Sequence, residues 1–334
     1  MHLSHAVRAV ALALLLAAAP GPAGAQAALG RLTLEDAVAL AGRANPVLRA
    51  KQFELQAVGA NEITAGLRPN PTATYLAEQF GGGSAALVQH TFSIGQPIEL
   101  GGKRQRRLES ARAATRVSGH ELEDVRRQFV FQVKKAFTDA LVAHQELGLV
   151  EENVRSLDDL ERIQRFRAER GDISELELLR IEVPRFALER DAADARHALR
   201  LARIALRTAT DPAQVPEDFE VVGALADRDV APAAVDLYRR ALDRRPDLRA
   251  AEAARAKARA DVGLARANAW WDVTPQVEYQ RIGPDNTIGF GISVPIKIFD
   301  RNQGEIALTR AETQRVDAAR EAMAVQILAE VDGV

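Results

Sequence analysis

The sequence predicts a mainly helical chain with a small β part of membrane-crossing length, built as a tandem repeat. Three observations lead there. Ile288, Phe290, Ile292, Val294 and Ile296 alternate with Thr287, Gly289, Gly291 and Ser293, and Val88, His90, Phe92 and Ile94 alternate with Gln89, Thr91, Ser93 and Gly95. A period of two places each set on its own face of a strand. Pro97-Ile98 and Pro295-Ile296 stand 198 residues apart, as do Gln105 and Gln303, and Arg112 and Arg310, so the two alternating stretches belong to repeated units. Finally, Lys103 to Arg170 is 68 residues without proline and with two glycines, which as one helix spans about 100 Å.

Composition agrees. Of the 334 residues 47% are apolar, mostly Ala and Leu, and only 5% are aromatic, a balance suited to long helices packed side by side. A net charge of −2 and the lack of a basic groove with interleaved aromatics exclude nucleic acid as a partner.

Residues 1–27 read as a secretory signal peptide: His2, His5 and Arg8, an apolar run from Ala9 to Ala19, then Ala23-Gly24-Ala25. The run is shorter than the ~20 residues of a membrane span, and no other run is long enough. The expectation is an exported protein with no transmembrane helix. Zero cysteines exclude disulfides and lipidation of an N-terminal cysteine.

Repeat one covers 28–232. Thr33 is the N-cap of a short helix to about Arg43, and Asn45-Pro46 starts a second helix to about Leu67. A β-hairpin follows over 71–97, from Thr72 to Phe80 and Leu87 to Gln96 around Gly81-Gly82-Gly83-Ser84. The long helical hairpin occupies 103–210, turning at Gly171, with Pro184 kinking the return helix. Its seam is expected from Leu122, Val125, Phe129 and Val133 on the way out, and from Leu176, Leu179, Val183, Phe186, Ala193, His197, Leu201 and Ile204 on the way back, with Arg190 as the odd member. A connector with a strand-like Phe219–Val222 fills 211–232. Incomplete repeat two, 233–334, copies the Asn45-Pro46 junction at Arg245-Pro246 and the β-hairpin over 275–296, around Gly283-Pro284-Asp285-Asn286, then begins a long helix. Four strands of ~9–11 residues match a tilted bilayer crossing; a small soluble β-subdomain is the other reading.

No enzyme is read here. His120, His144 and His197 stand singly on helices, the two methionines form no cluster, and no Ser-His-Asp set or converging carboxylate pair is visible, so no catalytic residue, metal site or cofactor is expected. Gly101-Gly102-Lys103 lacks the upstream glycine of a phosphate loop, and Arg104 stands where Ser or Thr belongs. It reads instead as the turn from strand to helix. The cations that follow, Lys103, Arg104, Arg106 and Arg107, are either a contact to lipid phosphates at the bilayer edge or a solvated helix start.

With the signal peptide and the duplicated helix–hairpin–helix units, Gln96-Pro97-Ile98-Glu99-Leu100-Gly101-Gly102-Lys103 and its echo Pro295-Ile296-Lys297-Ile298-Phe299-Asp300-Arg301 look like the TolC family of outer-membrane efflux proteins. Leu67-Arg68-Pro69-Asn70-Pro71 and Glu99 to Arg104 are most similar to its CzcC-like branch, associated with heavy-metal efflux. The resemblance implies a TolC-like outer-membrane factor fold: a homotrimer whose protomers each give four strands to one barrel in outer-membrane lipid and their long helices to a periplasmic α-barrel. Closure suits the chemistry, since only a closed sheet satisfies its backbone in lipid. It also implies passive conduction, energised by an inner-membrane pump, with a periplasmic adaptor (membrane fusion protein) docking on the tip Arg170-Gly171-Asp172-Ile173-Ser174. From the alternation itself, Ile288, Phe290, Ile292 and Val294 face lipid, and Pro97, Gly101, Gly102, Lys103, Pro295 and Asp300 make the strand–helix turns. A periplasmic coiled-coil scaffold or chaperone without membrane insertion is the competing class. Family members carry a second helical hairpin, whereas Val334 corresponds by the 198 offset to Ala136, within the first long helix; the expectation is that the natural gene encodes about 75 further residues, by the logic of stacked repeats.

Overall fold

The computed structural model describes residues 30–80, 87–225 and 234–333; the signal segment, the Gly81–Ser84 turn and the end of the connector lie outside them. In chain order the elements are β1 (Arg31–Leu32), α1 (Leu34–Ala44), α2 (Pro46–Gly66), β2 (Thr72–Glu78), β3 (Gln89–Gly95), β4 (Ile98–Glu99), α3 (Lys103–Glu169), α4 (Glu175–Ala209), β5 (Glu220–Val221), α5 (Ala234–Arg244), α6 (Pro246–Asn268), β6 (Asp272–Ile282), β7 (Asp285–Ser293) and α7 (Gln303–Asp332). None of the described helices is long and apolar enough to cross a membrane.

Packing divides these into two compact units that do not follow the repeats. One draws on the described parts of Met1–Ala44 and Gln132–Ala226, the other on Asn45–Phe131 and Asp227–Val334.

In the first unit, Thr33 caps α1 as its spacing predicts, its Oγ1 accepting from the Asp36 N–H at 3.2 Å. The strand-like segment of the connector is β5, which pairs in parallel with β1 through Arg31↔Glu220 and Leu32↔Val221. Leu32, Leu206, Val215 and Phe219 are fully buried beside Val133, Phe137 and Leu141, each large side chain contributing about 1.5–3 kcal/mol.

The seam between α3 and α4 differs from the expected one. Leu176, Leu179, Val183, Phe186, Leu201 and Ile204 are all exposed, at 52–73%. Burial instead follows Ala192, Leu199 and Leu206, a seven-residue repeat, with Ala195 and Ala202 half-buried between them and Leu178 and Leu188 half-buried before them. α4 therefore carries two apolar stripes of the same three-four spacing. The one that includes Ala192, Ala195 and Ala202 is the buried one. Near the turn this seam is ionic: Glu161, 6% exposed, accepts from Arg165 at 2.5 Å and from Arg185 at 2.9 Å. Pro184 lies inside α4, on its exposed side.

In the second unit Asn45 caps α2, its Oδ1 accepting from the N–H groups of Val47 at 2.7 Å and Leu48 at 3.2 Å. The strands form one antiparallel sheet in the order β2-β3-β6-β7, with β4 added beside β6. The β6–β7 turn is tighter than expected. Ile282 pairs with Asp285, so Gly283-Pro284 alone makes the loop, with Gly283 at φ +57° and proline supplying the next negative φ, the order a type II′ turn requires. Pro275 does not open the hairpin; it sits within β6 opposite Ile292, just past the residue at which the β3 ladder ends.

Candidate functional site: a two-faced sheet, its turns and a helical tip

Directly paired residues of an antiparallel sheet project to the same side. The row Tyr75–Phe92–Tyr279–Ile288 and the row Ala73–Ile94–Val277–Phe290 therefore share one face, which Pro275 and Ile292 continue. The other face carries Thr74–Ser93–Glu278–Gly289 and Thr72–Gly95–Gln276–Gly291. One side is apolar and aromatic, the other small and polar. Phe290 is 83% exposed and Ile292 72%, so nothing within the described chain covers the apolar side. Its few polar atoms pair locally: Tyr75 Oη meets His90 Nδ1 at 2.9 Å, and Tyr279 Oη donates to Asn286 Oδ1 at 2.5 Å. Gly291 makes room on the polar side, where a Cβ would lie 2.8 Å from the Gln276 amide.

The turn after β4 is built from inside the chain. Gly101 and Gly102 stand at φ +69° and +71°, a region only glycine enters freely, and a Cβ on Gly101 would come within 2.8 Å of Trp270. Gln96 Nε2 donates to the Pro69 carbonyl at 2.9 Å and to that of Pro97 at 3.0 Å. Neither reading of the cation cluster holds for its principal members. Lys103, 6% exposed, donates to Asp272 Oδ1 at 2.7 Å. Arg107 forms a two-pronged pair with Glu99 at 2.5 and 3.1 Å and also donates to the carbonyls of Ala65 and Leu67. Arg104 donates to the Gly66 carbonyl, and Arg106 pairs with Glu109 at 2.8 Å. Arg104 and Arg107 are drawn to the unpaired carbonyls at the negative end of α2, while Lys103 and Arg106 pair with carboxylates. Repeat two uses the same device with other residues: Lys297 donates to the Asn268 carbonyl, and Asn302, at φ +61°, to that of Ala265 at 2.7 Å. Asp300 orders this turn by accepting from the Asn302 N–H at 2.8 Å, and Pro295 lies exposed just beyond β7.

At the far end of α3, Gly171 is at φ +78°. Its N–H donates to the Ala168 carbonyl and that of Asp172 to Arg167, both at 2.9 Å, the paired bonds of a Schellman C-cap. Three residues on, Ser174 caps α4 in a capping box with Glu177. Arg170 lies over the Phe166 ring at 4.1 Å. Arg170, Gly171, Asp172 and Ser174 are exposed and Ile173 half-buried, on a backbone held from both sides. Sequence reasoning missed Asp272, Asn302 and the tryptophan pair; the only two tryptophans of the chain, adjacent at a strand start, were the available signal.

The chain matches the family described as outer membrane efflux protein over residues 39–211 and 237–334. It belongs to that family. As a family member it is an outer-membrane protein with a periplasmic helical part. It is similar to the cobalt-zinc-cadmium resistance protein CzcC of Cupriavidus metallidurans, 29% identical over 84% of this chain and 66% of the relative. The nickel-cobalt-cadmium resistance protein NccC of Alcaligenes xylosoxydans xylosoxydans is 28% identical over 93% of this chain and 70% of its own. The chain thus spans about two thirds of the length of these relatives. Among solved structures, CusC, described for its folding and transmembrane channel formation, superposes with a TM-score of 0.73 at 18% identity, over 93% of this chain and 77% of that one. The fold is that of a TolC-like outer-membrane channel protein.

Proposed function

We propose that this protein is the outer-membrane duct of a tripartite efflux system, conducting substrate passively from the periplasm to the exterior, with heavy-metal cations as the cargo class. The carrying observation is the register of β2, β3, β6 and β7, which gathers apolar residues on one face and small polar ones on the other. Such a sheet has two open edges, and in lipid only closure with further copies satisfies them. Three copies closing one barrel leave Ile288, Phe290, Ile292 and Val294 against lipid and Thr287, Gly289, Gly291 and Ser293 toward the lumen. The exposed stripe of Leu176, Leu179, Val183 and Phe186 is the surface a neighbouring copy buries. The tip Arg170–Ser174 is the adaptor contact, and the energy comes from an inner-membrane pump. The metal cargo follows from the resistance proteins the chain resembles.

Expression in cells lacking their own duct tests this. Heat-modifiable trimers in the outer-membrane fraction and restored tolerance to cobalt, zinc or cadmium support the proposal. A soluble periplasmic monomer favours the coiled-coil scaffold, and tolerance restored only to organic drugs overturns the cargo class.

A further inference from the structure

The apolar face of the sheet does not stop where the ladder stops. Ile98 pairs with Val273 on the same side as Pro275 and Val277, and the same parity carries the face back to Trp271. There a cavity of about 390 Å³ opens, lined by Ala269, Trp270, Trp271, Ile296, Lys297 and Arg301. Trp271 is half exposed and Ile296 77% exposed. Trp270 packs its other side against the Gly101 turn, so the aromatic wall is braced from behind. Lys297 uses one of its three N–H donors on the Asn268 carbonyl. Arg301 is exposed and takes part in no ion pair among the described residues. The neighbouring carboxylates are engaged elsewhere: Asp272 accepts from Lys103 and the Leu100 N–H, and Asp300 from the Asn302 N–H.

From this arrangement we infer a lipid site in which Lys297 and Arg301 hold the phosphate of a bilayer glycerophospholipid and Trp271 and Ile296 take the upper part of its acyl chains. The inference rests on the proposal that the apolar face meets lipid. A ring with an apolar body and an N–H edge belongs where hydrocarbon gives way to headgroups, and two cations beside it supply the charge a phosphodiester needs. Free phosphate satisfies only the cationic half of the cavity.

The chain's only two tryptophans both line this cavity, so emission excited selectively at tryptophan, which leaves the three tyrosines silent, reports on nothing else. The protein is reconstituted in phosphatidylethanolamine–phosphatidylglycerol vesicles whose acyl chains carry bromine at shallow or deep positions. In Trp270→Phe the remaining Trp271 is expected to lose emission mainly to shallow bromines. Phe290→Trp, made with both native tryptophans changed to Phe, reports the sheet and is expected to respond mainly to deep bromines. If that probe responds while Trp271 is untouched, the lipid site is overturned and the membrane reading stands; if neither responds, both fall. Arg301→Gln and Lys297→Gln should each lower phosphatidylglycerol retention, read by native mass spectrometry, by about fivefold, the worth of one basic group at an anionic surface. Unchanged retention in both overturns the role of the cations. Excess inorganic phosphate should leave the lipid bound; release of the lipid assigns the cavity to free phosphate and overturns the inference.

Discussion

Lys103 Nζ donates to Asp272 Oδ1 at 2.7 Å, joining the turn that ends the first β-hairpin to the strand that begins the second. The lysine side chain is 8% exposed, so removal of its partner strands a charge away from water. Asp272→Ala is expected to lower stability by about 3 kcal/mol, the lower end for a broken buried pair. Lys103→Met should cost less, because Asp272 keeps the Leu100 N–H and more contact with water. Chemical unfolding of both variants checks the order, and the reverse order removes the pair's structural role.

On β7, neighbouring positions should answer oppositely to charge. Phe290→Arg is expected to cost ~2–4 kcal/mol near the bilayer midplane, and Ser293→Arg much less. The comparison is read in assembled trimers extracted from membranes. Equal tolerance there rejects the assignment of faces.

The helical tip separates backbone from surface. A bulky residue at Gly171 has to hold φ near +78°, at a cost of about 1–2 kcal/mol, and should impair efflux without impairing barrel assembly. Ile173→Glu leaves both caps intact and should impair efflux equally. Crosslinkers placed along α3 and α4 locate the adaptor; capture only at positions distant from the turn counts against contact at Arg170–Ser174.

Acid should loosen the start of repeat two. Burial works to raise the Asp247 carboxyl, but the Arg245 hydrogen bond, the Leu248 N–H and the charges of Arg245 and Arg127 outweigh it and hold it below its ordinary value. Hydrogen bonds from Arg245 and Gln326 hold Glu330 low in the same way. Groups depressed in the folded state stabilise it fully above their unfolded values, near 4, and that contribution disappears as pH falls through the folded values. Thermal midpoints should therefore be level above about pH 5 and fall below about pH 4. Arg245→Ala should flatten that acid limb, and an unchanged limb in the variant assigns the loss to other carboxylates.

Whatever depends on neighbours in the chain was legible in the sequence. The strands announced themselves by alternation at Val88–Ile94 and Thr287–Ile296, because a strand's side-chain period is set by its own backbone. Thr33 and Gly171 were readable for the same reason: a cap or a left-handed turn is decided within four residues. The Asn45-Pro46 and Arg245-Pro246 junctions were equally plain, although only the first uses a side-chain cap.

Tertiary structure decided what local rules leave degenerate. Both stripes of α4 satisfy the three-four spacing, and the choice of Ala192, Leu199 and Leu206 over Leu176, Leu179, Val183 and Phe186 is made only when the helix packs. The pairing of Phe92 with Tyr279 and of Val277 with Phe290 merges two hairpins into one two-faced sheet, a register set by long-range hydrogen bonding. The partners of Lys103, Arg104 and Arg107 were invisible for a related reason. A cation's sequence does not say which carbonyls or carboxylates folding will bring beside it, and here they come from the end of α2, from β4 and from the start of β6.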